Sequence, residues 1–203
     1  AMVWRQDRHS PLYIAPRIGR NGVRFRMIKI RSMVIAADRS GVSSTAATDR
    51  RITRVGHFIR RWKLDELTQL YNVLVGDMSL VGPRPNTPQD VALYTDEQRQ
   101  LLSVRPGITD FASIVFADEG EILRGATDPD LAYRQLIRPW KSRLGLFYVS
   151  HRSAWVDLQL IALTLLRIVA PARALVGTGR LLERLGAPEE LVRVASRTAP
   201  LVA

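Results

Sequence analysis

The four residues Gly82-Pro83-Arg84-Pro85 constrain this chain more than any others. Two prolines fix φ, remove two backbone donors, and bias the residue before each of them away from helix. No helix crosses this point, so the chain is read as segments on either side. Upstream, Leu64, Leu67, Leu70, Tyr71 and Leu74 recur at three- and four-residue steps. That spacing predicts a helix with one apolar face, set in a helical pattern beginning at Ile52 and ended by Gly76-Asp77. Downstream, residues 88–104 read as a polar helix stopped at Pro106-Gly107.

Nearer the start, Gly19-Arg20-Asn21-Gly22 is a turn signal, and Val23 to Arg31 is a strand candidate. Its alternation slips phase at Met27-Ile28, which points to a bulge or a strand end. Residues 36–51 read as a mobile loop, and residues 118–138 as an acidic, partly helical insert. Lys141 to Val169 reads as a strand or extended piece followed by an apolar helix, and Leu181 to Val194 as an amphipathic tail. The expected fold is α/β in class: a mostly helical single domain with a short β-hairpin or small sheet near residues 11–31 and interfacial amphipathic helices. Residues 1–169 would form the catalytic domain and residues 170–203 the tail.

The longest apolar stretch, Leu158 to Val176, is interrupted by Arg167, Pro171 and Arg173. It falls short of the roughly 18 uninterrupted apolar residues of a spanning helix. No cysteine is present, so neither disulfides nor thiolate metal sites arise. Lys and Arg total 30 against 19 Asp and Glu, a formal net charge of +11. Such an excess attracts phosphorylated substrates, anionic membranes or nucleic acid. Only Lys29, Lys63 and Lys141 are lysines; the arginines offer planar forks that grip phosphate oxygens in pairs.

Three constellations can carry chemistry. Asp65-Glu66 stand at the start of the apolar-faced helix, where one carboxylate can attack or accept a proton while the other holds a cation. Acids in a first helical turn also occur simply because the helix dipole favours them. Lys29, Arg31, Arg60, Arg61 and Arg84 together can neutralise a diphosphate, although each alone reads as a surface base. Trp62, Trp140, Trp155 and Tyr148 suit either a membrane interface or a core. His9, His57 and His151 lack metal-ligand spacing.

The segments Arg51 to Arg60, Leu64-Asp-Glu-Leu67 and Gln69 to Pro85, with the unbroken run Gly76 to Pro85, resemble the bacterial sugar transferases. Flanking agreement comes from Arg17 to Gly22, Lys29 to Met33, Arg105 to Thr109, and Tyr148 through Asp157-Leu158. The resemblance runs from about Ala1 to Val169. It implies a phosphoglycosyltransferase in which Asp65 attacks the β-phosphate of a UDP-sugar, releases UMP and passes the phosphosugar to polyprenyl phosphate. Glu66 would bind Mg²⁺, and Lys29, Arg60 and Arg84 would grip phosphate oxygens. The work would be the first membrane step of exopolysaccharide, O-antigen or glycoprotein glycan synthesis. The implied partners are a UDP-sugar, polyprenyl phosphate and the cytoplasmic face of the bacterial inner membrane, with room for a homo-oligomer.

Departures accompany the resemblance. Lys63 stands where relatives carry Ser, which removes a capping box, and Thr68 replaces a Pro. Val115 to Glu119 is acidic where many relatives carry an Arg-containing loop. Relatives begin with an apolar membrane helix, of which only the last turn, Ala1 to Trp4, is expected here. Membrane contact would then rest on Trp155, the Leu158–Val169 helix and the basic tail. Two other readings compete: a non-catalytic scaffold in glycan assembly, which the intact Asp65-Glu66 opposes, and a nucleic-acid binder. No recognition helix or stacking face supports the latter, so no nucleic-acid partner is expected.

Overall fold

The computed structural model describes residues 2–40, 44–198 and 201. It is mostly helical, with two small two-stranded sheets. Helix α1 (Met2–Asp7) leads into strand β1 (Leu12–Ile18), which pairs antiparallel with β2 (Arg24–Ile30). The turn between them holds Asn21 and Gly22 at positive φ, as that dipeptide predicts. Pro16 lies in β1, and β1 has β2 as its only neighbour in the sheet, so the missing N–H is tolerated at an edge. The register runs unbroken from Leu12↔Ile30 to Ile18↔Arg24. The phase slip at Met27-Ile28 is therefore not a bulge.

The slip has another cause. On its far side β2 meets a helix rather than a third strand. Asn72 Oδ1 accepts from Ile28 N at 3.1 Å, Asn72 Nδ2 donates to Arg26 O at 2.9 Å, and Thr68 Oγ1 donates to Ile28 O at 3.0 Å. Side chains thus satisfy backbone groups that a third strand would have taken.

The helical pattern from Ile52 is broken into pieces. Helix α2 (Arg54–Arg61) is capped by Thr53, whose hydroxyl accepts from Gly56 N. The chain turns through Lys63 at φ 54°, makes one tight turn over Leu64–Glu66, and continues as α3 (Gln69–Leu74). The apolar face is real, but it points away from the core. Gln69 and Asn72 are each 1% exposed, whereas Leu74 is 85% exposed, with Leu67, Leu70 and Tyr71 also exposed.

Strand β3 (Ser79–Val81) pairs in parallel with β4 (Gly107–Thr109), and this joins the two Pro-Gly motifs. Gly82 N donates to Thr109 O at 2.9 Å and Gly107 N to Pro83 O at 3.0 Å. Between them, residues 88–104 form two helices rather than one: α4 (Pro88–Ala92) and α5 (Asp96–Arg99). Thr95 starts the second with a capping box to Gln98, a signal present in the sequence. Of the segment 36–51, residues 41–43 lie outside the described residues. Arg51 fastens the rest, binding the Asp49 carboxylate and donating to Ala37 O and Ser44 O.

Beyond β4, Asp110 caps α6 (Phe111–Val115), followed by α7 (Glu119–Ile122) and α8 (Pro129–Ala132). The start of the piece expected as a strand or extended, from Lys141, lies instead in helix α9 (Arg138–His151). Trp140, Leu144, Phe147 and Tyr148 lie buried at helical spacing along it. Helices α10 (Ala154–Val169), α11 (Pro171–Arg184) and α12 (Glu189–Ser196) complete the chain. The last two form a hairpin that turns at Gly186, φ 75°, before Pro188. Among the described residues no helix is long and apolar enough to cross a membrane.

The main core lies between α6, α9, α10, α11 and α12, around Phe111, Leu144, Leu160 and Leu182. The tail helices thus bury their apolar stripe in protein, which leaves it unavailable for the interface expected of the basic tail. A smaller cluster of Phe25, Met27 and Met78 sits under the hairpin.

Candidate functional site

Asp65 and Glu66 sit in the tight turn between α2 and α3, launched by the left-handed backbone of Lys63. Lys63 provides no side-chain cap, as the missing serine implies. Glu66 is the hub. Its Oε1 accepts from Arg84 Nη2 at 2.5 Å and lies 3.6 Å from Lys29 Nζ. Arg84 comes from the Pro-Arg-Pro loop after β3, and Lys29 from β2. Three separate chain segments therefore meet at one carboxylate.

The electrostatics follow from this crowding. Burial pushes the Glu66 carboxyl up, but Arg84, Lys29 and Lys63 together outweigh it and hold the group at about 2. Burial and the neighbouring Arg84 charge lower the Lys29 ammonium to about 8, opposed by Glu66 and Asp65. Glu66 holds the Arg84 guanidinium firmly in its charged form. The cations outnumber the carboxylate they surround, so the site carries spare positive charge for an anionic ligand.

Asp65 Oδ1 is buried and has no hydrogen-bond partner. Buried polar atoms are nearly always satisfied, so an orphan carboxylate oxygen beside a cation cluster marks a place where a ligand atom belongs. Gln69 Nε2, one turn further along, is a second buried atom without a partner.

Two of the other expected bases fall differently. Arg60 Nε donates to Ser32 Oγ at 2.9 Å; burial pushes its guanidinium down, while Asp65 and Asp49 oppose that. It is thus within electrostatic reach of Asp65. Arg31 is committed elsewhere: it grips both oxygens of Asp7, at 2.5 and 2.7 Å, and donates to Ser10 O at 2.9 Å. This contact ties α1 to β2, and the structure does not bring Arg31 to Glu66.

Sequence reasoning missed Arg17, half-buried on β1, which acts electrostatically on both Arg84 and Lys29. It also missed Tyr148, whose hydroxyl donates to Asp157 Oδ1 at 2.8 Å and lies 3.3 Å from Val81 O. Tyr148 thereby steadies the strand that leads into the Arg84 loop. Its position was visible in the sequence, but its partner on β3 lies 67 residues away.

The donor set bears on a metal. Among the described residues no group of three or more His, Cys, Asp or Glu converges. Two adjacent carboxylates with the orphan Asp65 Oδ1 fit Mg²⁺ held mostly by water and substrate phosphates, which is the ion's usual habit. They do not fit a protein-built cage.

Comparison with known proteins adds the following. A family model described as bacterial sugar transferase matches residues 1–171. The chain is 39% identical over 175 residues to an undecaprenyl-phosphate glucose phosphotransferase of Komagataeibacter xylinus, covering 82% of this chain and 31% of that protein. It is 36% identical over 186 residues to the galactosyl transferase CpsE of Streptococcus agalactiae, covering 86% and 37%. It is 37% identical over 177 residues to a UDP-glucose:undecaprenyl-phosphate glucose-1-phosphate transferase of Xanthomonas campestris pv. campestris, covering 84% and 32%. The chain spans about a third of the length of these relatives.

Proposed function

Because the chain belongs to the bacterial sugar transferase family, we propose that it moves a phosphosugar from a UDP-sugar to a polyprenyl phosphate, by way of an ester on Asp65. The observation that carries this reading is the orphan oxygen of Asp65 beside the Glu66–Arg84–Lys29 cluster.

In the first step an Asp65 carboxylate oxygen bonds to the β-phosphorus, and the bond from that phosphorus to the bridging oxygen breaks. UMP leaves with that oxygen, and an acyl phosphate bearing the sugar remains. In the second step a phosphate oxygen of the polyprenyl phosphate bonds to the same phosphorus. The Asp65–phosphorus bond breaks, which regenerates the carboxylate and yields a polyprenyl diphosphosugar.

Attack by an anion on a diphosphate requires that repulsion be offset. Arg84 and Lys29, pre-ordered by Glu66, supply positive charge without reorganising, and Arg60 adds to it from the Asp65 side. Asp65 and Glu66 would hold Mg²⁺ against the diphosphate, where the ion supplies further charge neutralisation.

The acceptor brings an apolar chain. A groove of about 370 Å³, lined by Leu12, Ile28, Leu67, Thr68 and Tyr71, runs beside the turn that carries Asp65 and suits such a chain. The outward face of α3, with Leu70 and Leu74, and Trp155 and Leu158 on α10 would sit among lipid headgroups. With a cytosolic nucleotide sugar as donor, that surface would face the cytoplasmic leaflet.

The test is UMP release from a panel of UDP-sugars, with Mg²⁺ and polyprenyl phosphate in detergent, for the wild type and Asp65→Asn. Release from one donor by the wild type alone is expected. No UMP from any donor would sink the reading and favour a scaffold in glycan assembly.

A further inference from the structure

The family match stops at residue 171, yet the helices beyond it are bound to the edge of the site. Arg197, the left-handed residue closing α12, is the link. Its Nη2 donates to Val115 O at 2.7 Å and to Asp118 Oδ1 at 2.9 Å, and its guanidinium lies 5.4 Å from the centre of the Phe116 ring. Arg167 on α10 reinforces the grip, donating to Ile114 O at 3.1 Å and lying 3.4 Å from Asp118 Oδ1. Both ends of the short connection from α6 to α7 are therefore pinned from the C-terminal side.

That connection faces the site. Lys63 Nζ lies 3.5 Å from Ala117 O, and Lys63 is the residue whose backbone launches Asp65 and Glu66. Glu119, next along, pairs with Lys141, which lies 5.1 Å from the Tyr133 ring centre. The charge of Glu119 is felt at both Arg84 and Arg60. The segment is acidic in an otherwise cationic neighbourhood, so its position sets how much positive charge is left for a donor diphosphate.

We propose that the α11–α12 hairpin is a positioning element of the transferase site, in which Arg197 holds residues 115–119 against Lys63 and so sets affinity for the nucleotide-sugar donor. This rests on the transferase reading above. Arg197 touches no reacting atom; it acts through the loop. The hairpin itself is anchored by Leu181, Leu182, Leu191 and Val194 in the main core, so the guanidinium is presented from a rigid base. Arg197 makes both bonds through one nitrogen, Nη2, while its planar guanidinium lies against the Phe116 ring; lysine keeps the charge but not that plane.

The test uses the full chain with Arg197→Ala, Arg197→Lys and, as a control for stability alone, Val3→Ala, a buried position on α1 outside the hairpin. Each is assayed by UMP release below its melting midpoint. Arg197→Ala is expected to raise donor KM about tenfold and leave acceptor KM unchanged, with Arg197→Lys in between. Combined with Lys63→Met, the effect on donor KM should be less than additive, because both changes break one chain of contacts. The proposal is overturned if the wild type is active but Arg197→Ala keeps its donor KM, if Val3→Ala reproduces the change, or if the pair with Lys63→Met is additive. No UMP from the wild type would overturn the transferase reading, and the role of the clamp with it.

Discussion

Arg84 reaches Glu66 across 18 positions of sequence, its Nη2 2.5 Å from the carboxylate Oε1. Lys29 meets the same oxygen from a third segment. Glu66 is thus less a free acid than the point on which two phosphate-binding cations are set. Charges fixed in advance stabilise a transition state without the cost of reorganising around it.

The pairing gives Glu66→Gln a distinctive pH signature. Arg84, Lys29 and Lys63 overcome burial to hold the Glu66 carboxyl at about 2, below its ordinary 4.5. A carboxylate depressed in the folded state contributes its stability in full above the unfolded value and loses it as pH falls through the folded one. The stability gap between wild type and Glu66→Gln should therefore narrow as pH drops from 4.5 to 2. Denaturant midpoints measured across that range check it. A constant gap would show that the Glu66 charge contributes nothing.

Lys29 titrates on the alkaline side. Burial and Arg84 lower its ammonium from 10.5 to about 8. A lysine lowered in this way costs the fold stability while it is charged, and that cost is relieved as pH rises from 8 to 10.5. For binding the sign is opposite, because the neutral amine no longer attracts phosphate. The kcat/KM for the donor should fall above an apparent pKa of about 8. In Lys29→Arg, which stays charged, that fall should disappear or move upward. A profile unchanged by the substitution would remove Lys29 from the donor site.

The two Pro-Gly motifs touch backbone to backbone. A Cβ added at Gly107 would lie 2.1 Å from Gly82 N and 2.5 Å from Gly82 O. Both obstacles are main chain and cannot swing aside. Gly107→Ala should lower stability by about 3 kcal/mol and disturb the strand leading to Arg84. Equilibrium denaturation decides it. A loss below about 0.5 kcal/mol, typical of a surface change, would mean that the strands separate freely.

Legibility from sequence divided along a physical line. Asn21-Gly22, Asp65-Glu66 and Pro83-Arg84-Pro85 were readable because turn chemistry and charge are local. Arg31 was not, since its fate depends on Asp7, 24 positions away. The hairpin α11–α12 showed its amphipathic stripe but not the core that covers it. For α9, the sequence between Arg138 and His151 carries three- and four-residue spacing that a strand reading overlooked. Which way the α3 face points was not legible for a deeper reason. Periodicity says which side of a helix is apolar; it does not say whether protein, water or lipid lies against that side.

That last ambiguity can be put to measurement. Leu70 and Leu74 are exposed on α3 and do not line the groove assigned to the acceptor chain. Leu74 is 85% exposed and Leu70 is half-covered, so replacing both with Ser should lower stability by only about 1 kcal/mol. Each leucine that dips into a headgroup region gains part of the roughly 1.5–3 kcal/mol of full burial. Partitioning of the double variant onto vesicles should therefore fall at least about tenfold, on neutral and anionic lipid alike. Sedimentation with vesicles of the two compositions measures it. A loss confined to anionic vesicles would assign attachment to the arginines. Unchanged binding, with UMP release retained in detergent, would mean that the α3 face meets something other than lipid.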